Sequence, residues 1–307
     1  MSSDNTTHDW SRSGVGFIDG EYCALPDLKI PVSDMGFQLS DMCYDAVHVW
    51  KGAFFRLADH MDRWDRSIAA RRYNTLGYDR EGMEAVLHEC VRRTGLKELM
   101  VYIVATRGTP RDGYKDLRTC ANRLIAWARP YYSVVTDEEC EHGCDIIVSE
   151  TVRISPDSVD PTVKNFGRLD FVRALFEAYD RDARYALLED GNGCVTEGRG
   201  WNLFMRSGGE LLTPRSGVLE GITRQTVLEL SAELNVEGKL ADVSAERLRD
   251  ADEIFITSTA GGVMPVRSID GKPVGDGSPG PLTRRMSDLY WQLHDDPRYS
   301  TPVRYGA

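Results

Sequence analysis

The stretch from Ile154 to Asn165, ISPDSVDPTVKN, carries the reading of this chain because it delivers Lys164 to a junction where few lysines go. The sequence holds seven lysines against thirty arginines, and the other six sit where solvent is expected. Lys51 and Lys272 lie in glycine-containing turns, Lys97, Lys115 and Lys239 in polar loops, and Lys29 before an Ile-Pro pair. Lys164 follows a β-prone stretch and is expected to open an apolar-striped helix. A lysine desolvated at such a junction has a lowered pKa and can act as an amine nucleophile or base. The ordinary alternative is a lysine that snorkels to water or pairs with a carboxylate.

Working outward, 307 residues suffice for two domains with sizeable cores. A net charge of −11 gives no basic footprint for nucleic acid or for an anionic membrane, so neither partner is expected. No apolar run reaches the roughly 18 residues that span a bilayer, and the opening MSSDNTTHDWSRSG lacks the apolar centre of a signal peptide. A cytoplasmic protein is expected. Seven cysteines, an odd number among apolar neighbours, fit reduced and mostly buried thiols. His142 between Cys140 and Cys144 matches no standard zinc spacing, and no metal site is expected.

The pattern predicts a disordered tail over 1–12, a small α/β domain over 13–130, an acidic linker over 131–143 and a large domain over 144–307. A hairpin is predicted at 15–18 and 21–24, strands at 47–50 and 54–57, and a helix after Asp59 as cap. Further helices are predicted at 80–94, 169–180 and 223–234, the second carrying Leu169, Val172, Leu175, Phe176 and Tyr179 at helical spacing. Strands are predicted at 99–106, 123–128, 145–150 and 253–258. Arg107 to Arg118, RGTPRDGYKDLR, is too rich in Gly, Pro and charge for regular structure and is expected to be a functional loop.

Two segments can hold a phosphate. Leu219 to Arg224, LEGITR, is a glycine turn into a helix start, where unbonded N–H groups and the dipole favour an anion. Ser258 to Gly262, STAGG, ends a strand in small residues that let a ligand approach the backbone. Neither is a P-loop or a Rossmann fingerprint. A third segment, Thr196 to Phe204, places Glu197 among glycines, a carboxylate beside a slot for a planar ring. A lysine amine, a phosphate cradle and such a carboxylate are what pyridoxal 5'-phosphate requires of a protein.

As a set, these motifs resemble the fold-type IV pyridoxal phosphate enzymes, the branched-chain and D-amino acid aminotransferases and most closely the (R)-selective amine transaminases. The resemblance runs from about Gly36 to Tyr305. It rests on SDMCYD from Ser40, FRLADHMDR from Phe55, TRG from Thr106, DPTVKN from Asp160, TEG from Thr196, GITR from Gly221 and TAGGVMP from Thr259. It implies a two-domain α/β fold, a homodimer, Lys164 as the Schiff-base lysine and Glu197 as partner of the pyridine nitrogen. It further implies Arg63, the backbone of Ile222 and Thr223, the Thr223 hydroxyl and Thr259 as phosphate contacts, with Tyr44 and Ala260 on the substrate side.

For the substrate, branched-chain enzymes place an arginine on the strand leading to the TRG motif, where this chain offers Tyr102. Arg111 resembles the loop arginine that meets a substrate carboxylate in D-amino acid and (R)-amine enzymes, and a guanidinium can grip a carboxylate bidentately. Two departures set the chain apart: Leu39 where (R)-amine enzymes carry a histidine, and Gly167-Arg168-Leu169 where they carry Gln-Trp-Gly. Arg168 is expected to favour carboxylated substrates. The resulting expectation is transfer of an amino group from an (R)-amine or D-amino acid to a 2-oxo acid such as pyruvate, by a ping-pong route. A branched-chain or D-amino acid aminotransferase proper, an aminodeoxychorismate-type lyase and a non-catalytic cofactor-binding protein stand as alternatives.

Overall fold

Alternating apolar and polar residues in extended runs, broken by glycine turns, assemble into two sheets in the computed structural model, which describes residues 14–111 and 116–305. The tail over 1–12 and Lys115 lie outside the described residues. Contacts divide the chain into two units: residues up to Tyr132 with Lys164–Phe166 and the segment from Pro297 onward, and Ser133–Val163 with Gly167–Asp296. The segment expected as a linker over 131–143 contains a helix that clusters with the second unit.

The first unit contains β1 (Val15–Ile18), β2 (Glu21–Ala24), β3 (Met42–Trp50), β4 (Ala53–Phe55), β5 (Leu99–Pro110) and β6 (Cys120–Pro130). With the short strand Ser300–Pro302 they form a seven-stranded sheet in which each pairing is antiparallel. Its helices are α1 (Met35–Leu39), α2 (Leu57–Arg71) and α3 (Arg80–Thr94). Helix α3 runs as the sequence indicates: Asp79 caps it by accepting from the Gly82 N–H at 2.8 Å, and Gly95 ends it with φ +70°. Helix α2 corrects the sequence reading. It begins at Leu57, so the strand before it ends at Phe55 and Asp59 is inside the first turn. Arg56, in the left-handed region with φ +54°, takes the cap position, and its Nε donates to Asp59 at 2.6 Å. A carboxylate in a first turn also complements the helix dipole. Trp64 and Met61 of α2 are fully buried, and the Trp64 Nε1 donates to the Met83 sulfur of α3 at 3.3 Å.

The loop expected from Arg107 to Arg118 is shorter than predicted. Strand β5 continues through Arg107–Pro110 after a register shift between Thr106 and Thr109, and a 3-10 turn forms at Leu117–Thr119. Gly108 makes the shift possible, since it has φ +74° and any Cβ there would overlap the Ala121 carbonyl.

The second unit contains β7 (Cys144–Val152), β8 (Tyr185–Glu189), β9 (Val195–Gly198), β10 (Asn202–Ser207), β11 (Glu210–Pro214), β12 (Gly238–Ala241), β13 (Glu253–Ser258) and β14 (Gly262–Ile269). They lie in the order β12-β11-β10-β13-β14-β7-β8-β9, and the short strand Lys272–Pro273 pairs with β14. The pairs β7–β8, β7–β14 and β11–β12 are parallel. Its helices are α4 (Asp137–His142), α5 (Leu169–Asp180), α6 (Ile222–Glu233), α7 (Ala245–Arg249) and α8 (Pro281–Gln292). One core joins Ile146, Leu187, Trp201, Leu203, Ile254, Ile256 and Met264.

Helix α5 has the predicted bounds but turns the other way. Phe171, Ala174 and Ala178 pack on Ile147, Ala186 and Leu188 of β7 and β8, while Leu169, Val172, Phe176 and Tyr179 of the expected apolar stripe are exposed. Alanines at the contact let the helix approach the sheet closely, which large side chains would prevent. Among the described residues no helix is long and apolar enough to cross a membrane.

Candidate active site

Lys164 does not open α5, which starts five residues later. The Pro161 turn delivers it in extended backbone alongside β3: the Tyr44 N–H donates to the Lys164 carbonyl at 2.9 Å, Phe166 N–H to the Met42 carbonyl at 3.4 Å, and Asn165 pairs with Cys43. Lys164 is partly buried, while the other described lysines are exposed. Its Nζ lies 4.7 Å from the Tyr44 ring centroid, a cation-π distance. The Tyr44 ring also packs on Phe166 at 4.8 Å and faces Tyr102 at 6.5 Å. Tyr102 stacks on Trp127 at 4.7 Å, and its hydroxyl meets that of Tyr132. Cross-strand neighbours on β5 and β6 thus extend an aromatic floor from the lysine.

Behind Lys164 in the same unit, Asp45 is held by α2. Arg63 grips it through Nε and Nη2 at 2.8 Å each, and His60 Nδ1 contacts it at 2.8 Å. All three are buried. Burial alone would raise the Asp45 carboxyl, yet the Arg63 charge and the hydrogen bonds from His60 and Arg63 outweigh it and hold the group well below the ordinary carboxylate range. Burial pushes His60 below its ordinary value against the pull of Asp45, with the Arg63 and Lys164 charges adding to the fall. A neutral imidazole facing a carboxylate donates through Nδ1, so Asp45 takes both partners as donors.

In the second unit the motifs containing Glu197 and Thr223 come together. Glu197, buried at the end of β9, accepts from the Leu219 N–H at 2.9 Å and from Asn202 Nδ2 at 3.2 Å through Oε2, and from Arg153 Nη2 at 3.3 Å through Oε1. Asn202 Nδ2 also donates to the Leu219 carbonyl at 2.9 Å, fastening the turn that starts α6 to the carboxylate. Gly221 leaves room for this amide, because a Cβ there would overlap Asn202 Oδ1. No side chain caps α6, and its first internal bond is Gln225 N–H to the Gly221 carbonyl at 2.9 Å. The N–H groups of Ile222 and Thr223 therefore emerge at the positive end of the helix, an anion-binding arrangement. At the hairpin from β13 to β14, Ser258 Oγ donates to the Gly200 carbonyl at 2.8 Å and accepts from Ala260 N–H at 3.2 Å. Ala260 is buried and Thr259 partly so.

Residues 42–269 match the amino-transferase class IV family. The chain belongs to that family. It is 30% identical to the branched-chain-amino-acid aminotransferase of Escherichia coli (strain K12) over 284 residues, 90% of this chain and 92% of the relative. It is 29% identical to the D-alanine aminotransferase of Staphylococcus haemolyticus over 275 residues, 89% and 95% of the two chains. The chain spans about half the length, 53%, of a branched-chain-amino-acid aminotransferase-like protein of Arabidopsis thaliana to which it is 29% identical over 94% of its own length. Among solved structures, the E. coli branched-chain enzyme superposes with a TM-score of 0.89 at 26% identity, covering 95% of this chain and all of that one. The branched-chain enzyme of Thermoproteus uzoniensis with norvaline gives 0.85 at 27%, covering 94% and 99%. A further branched-chain enzyme, solved with pyridoxamine 5'-phosphate, gives 0.88 at 27%, covering 95% and 99%. The two α/β units are therefore those of a fold-type IV aminotransferase.

The donor set of this class IV chain fits pyridoxal phosphate. A buried carboxylate and an uncapped helix start, clamped together by Asn202, answer a ring nitrogen and a phosphate, and the lysine is partly accessible on an aromatic floor. Other predicted residues are placed as follows. Arg111 is exposed in the turn after β5, its N–H donating to the Thr119 carbonyl at 3.3 Å. Arg168 stands at the start of α5 with its guanidinium 5.7 Å from the Phe171 ring. Sequence reasoning assigned no role to Asp45, His60, Arg153, Asp170 or Asn202. Asp45 and His60 lie in the SDMCYD and FRLADHMDR motifs and Asn202 in the segment from Thr196 to Phe204, whereas Arg153 is 44 residues from the carboxylate it contacts, a separation that carries no local signal.

Proposed function

We propose that the chain is a pyridoxal phosphate-dependent aminotransferase, active as a homodimer, that moves an amino group from an (R)-amine or D-amino acid to a 2-oxo acid such as pyruvate. The observation that carries the cofactor assignment is the clamp of Asn202 between Glu197 and the turn before Ile222 and Thr223. When bound, pyridoxal phosphate supplies an aldehyde that joins amines and a ring that takes up the electron pair left when a carbon loses its proton.

The protein's own groups do the rest. Lys164 Nζ would hold the cofactor at its aldehyde carbon and, as a free amine, would take the proton from the donor's α-carbon and return it to that aldehyde carbon. Glu197 holds a proton on the pyridine nitrogen. The N–H groups of Ile222 and Thr223, the hydroxyls of Thr223 and Thr259, and Arg63 with its geometry locked by Asp45 hold the phosphate. Tyr44 and Ala260 border the donor's side chain, Arg111 grips a substrate carboxylate, and Arg168 extends the range toward carboxylated donors. Exposure of Arg111 on a turn suits a group that engages carboxylates and withdraws for uncharged amines.

A branched-chain substrate is the second reading, favoured by the similarity to the E. coli enzyme. Spectra of the holoenzyme mixed separately with (R)-1-phenylethylamine, D-alanine and L-leucine decide between them. Bleaching of the cofactor band by the first two is expected, and bleaching by L-leucine alone would establish the second reading.

A further inference from the structure

Glu197 does not stand alone in its contact with Arg153. The same guanidinium reaches back to α5, where Nη1 donates to Asp170 Oδ2 at 2.5 Å. The arginine side chain is 9% exposed, the carboxylates of Asp170 and Glu197 4% and 8%. Asp170 is itself fixed. Oδ2 accepts the Ile154 N–H at 3.1 Å, Oδ1 accepts its neighbour's N–H at 2.9 Å, and the guanidinium lies 4.4 Å from the Phe171 ring centroid. One buried cation is therefore shared between two buried carboxylates, of which Asp170 has the shorter bond.

With both carboxylates ionised, the three side chains together carry a net charge of −1. Charges this far from water act on each other strongly, so the share of Arg153 that Asp170 takes is lost to Glu197. The geometry points to Asp170 and Arg153 as positioning residues that set how much negative charge Glu197 presents to a cationic ring nitrogen, an inference that rests on the reading of Glu197 given above. Asp170 draws the guanidinium off Glu197, which keeps the carboxylate a strong acceptor. Arg153 in turn offsets part of the Glu197 charge, so the ring proton is held less tightly than by the carboxylate alone. Other charges near the carboxylate come from the start of α6, where buried Arg224 senses both Glu220 and Glu197, and from exposed Arg199 after β9. These stay fixed across the variants below.

The two residues act with opposite sign, which separates this role from simple scaffolding. In holoenzyme reconstituted with pyridoxal phosphate carrying nitrogen-15 in the ring, the ring nitrogen's chemical shift reports its protonation directly across pH. Asp170→Asn frees the Arg153 charge to act on Glu197, and the ring nitrogen should lose its proton about tenfold more readily, a midpoint lower by about one pH unit. Arg153→Met should move the midpoint upward, and Arg153→Lys should bring it back toward wild type. Glu197→Gln should lower the midpoint more than Asp170→Asn does. A Glu197→Gln effect with no shift in Asp170→Asn overturns the relay and leaves the Glu197 assignment standing. No shift in Glu197→Gln overturns that assignment and the relay with it. If Arg153→Met does not fold, the near-isosteric Asp170→Asn decides alone.

Discussion

The Lys164 carbonyl accepts the backbone N–H of Tyr44 at 2.9 Å while its ammonium lies 4.7 Å from the ring of the same tyrosine. Main chain and side chain of one strand residue thus hold both ends of the lysine. The backbone bond fixes where the side chain leaves the chain, and the ring face limits where it can go. Borohydride reduction of the holoenzyme followed by peptide mapping should find the cofactor fixed to Lys164 and to no other lysine. Lys164→Ala should lose transamination while still taking up cofactor noncovalently, and label on Lys51 or Lys97 would overturn the assignment.

The Asp45 cluster predicts how stability depends on pH. His60 titrates below its ordinary value of 6.5 in the folded protein, so the unfolded chain binds that proton first. Its contribution is whole above about pH 6.5 and is lost as pH falls toward the folded value. Asp45, also lowered, adds a second loss as pH falls below its ordinary value of 3.8. Denaturant unfolding between about pH 8 and 4 should show falling stability, and His60→Gln should reduce the slope between about pH 7 and 5. An unchanged slope would assign the effect to His88, whose pKa burial also lowers.

Removing Asp45 should be worse than removing His60, because it leaves the Arg63 guanidinium buried without its carboxylate. Asp45→Ala should destabilise the first unit by about 3 to 5 kcal/mol and weaken cofactor uptake by loosening Arg63. Paired denaturation and cofactor titration separate the two effects. Normal cofactor affinity in a destabilised variant would restrict Asp45 to a structural role.

Gly198 exchanges both backbone hydrogen bonds with Trp201, at 3.2 and 3.4 Å, and the indole lies directly over it. A Cβ at 198 would overlap that ring. Gly198→Ala should cost about 1 to 3 kcal/mol by overpacking and displace the neighbouring Glu197, lowering activity beyond the stability loss. Activity that follows stability alone would show that the carboxylate keeps its place.

Arg111→Ala should depress kcat/KM for pyruvate and D-alanine by the equivalent of about 2 to 5 kcal/mol, as for one lost charge-paired contact, and spare an uncharged aromatic amine. Single-turnover spectra of each half-reaction distinguish these cases. Equal losses for both kinds of substrate would rule out a role specific to carboxylates.

Local chemistry in the sequence was enough for α3, whose Asp79 cap and Gly95 stop bracket it, and for the β13 strand running into small residues. It also drew attention to Lys164, Glu197 and the turn before Ile222, whose proposed roles the labelling and ring-nitrogen experiments test. It misled where a distant partner decided the outcome. Lys164 reads as a helix start until Cys43 and Tyr44, some 120 residues earlier, are seen to draw it into extended pairing. The apolar residues of α5 have helical period, but period does not say which face meets the sheet, and the alanines won because they permit close approach. The Asp170–Arg153–Glu197 group joins three elements and was invisible for the same reason.

The first unit is stitched from three separate lengths of chain, and this limits how the protein can be taken apart or inherited. A fragment ending at Tyr132 would lack Ser300–Pro302, baring the edge of β4. It would also lack the Lys164–Phe166 segment that satisfies the N–H of Tyr44 and the carbonyl of Met42. Bare strand edges recruit other chains, so such a fragment would precipitate before it folded. Recombination faces the same obstacle: a crossover at 132 separates the lysine from the tyrosine that positions it, and no cassette short of nearly the whole chain carries the first unit intact.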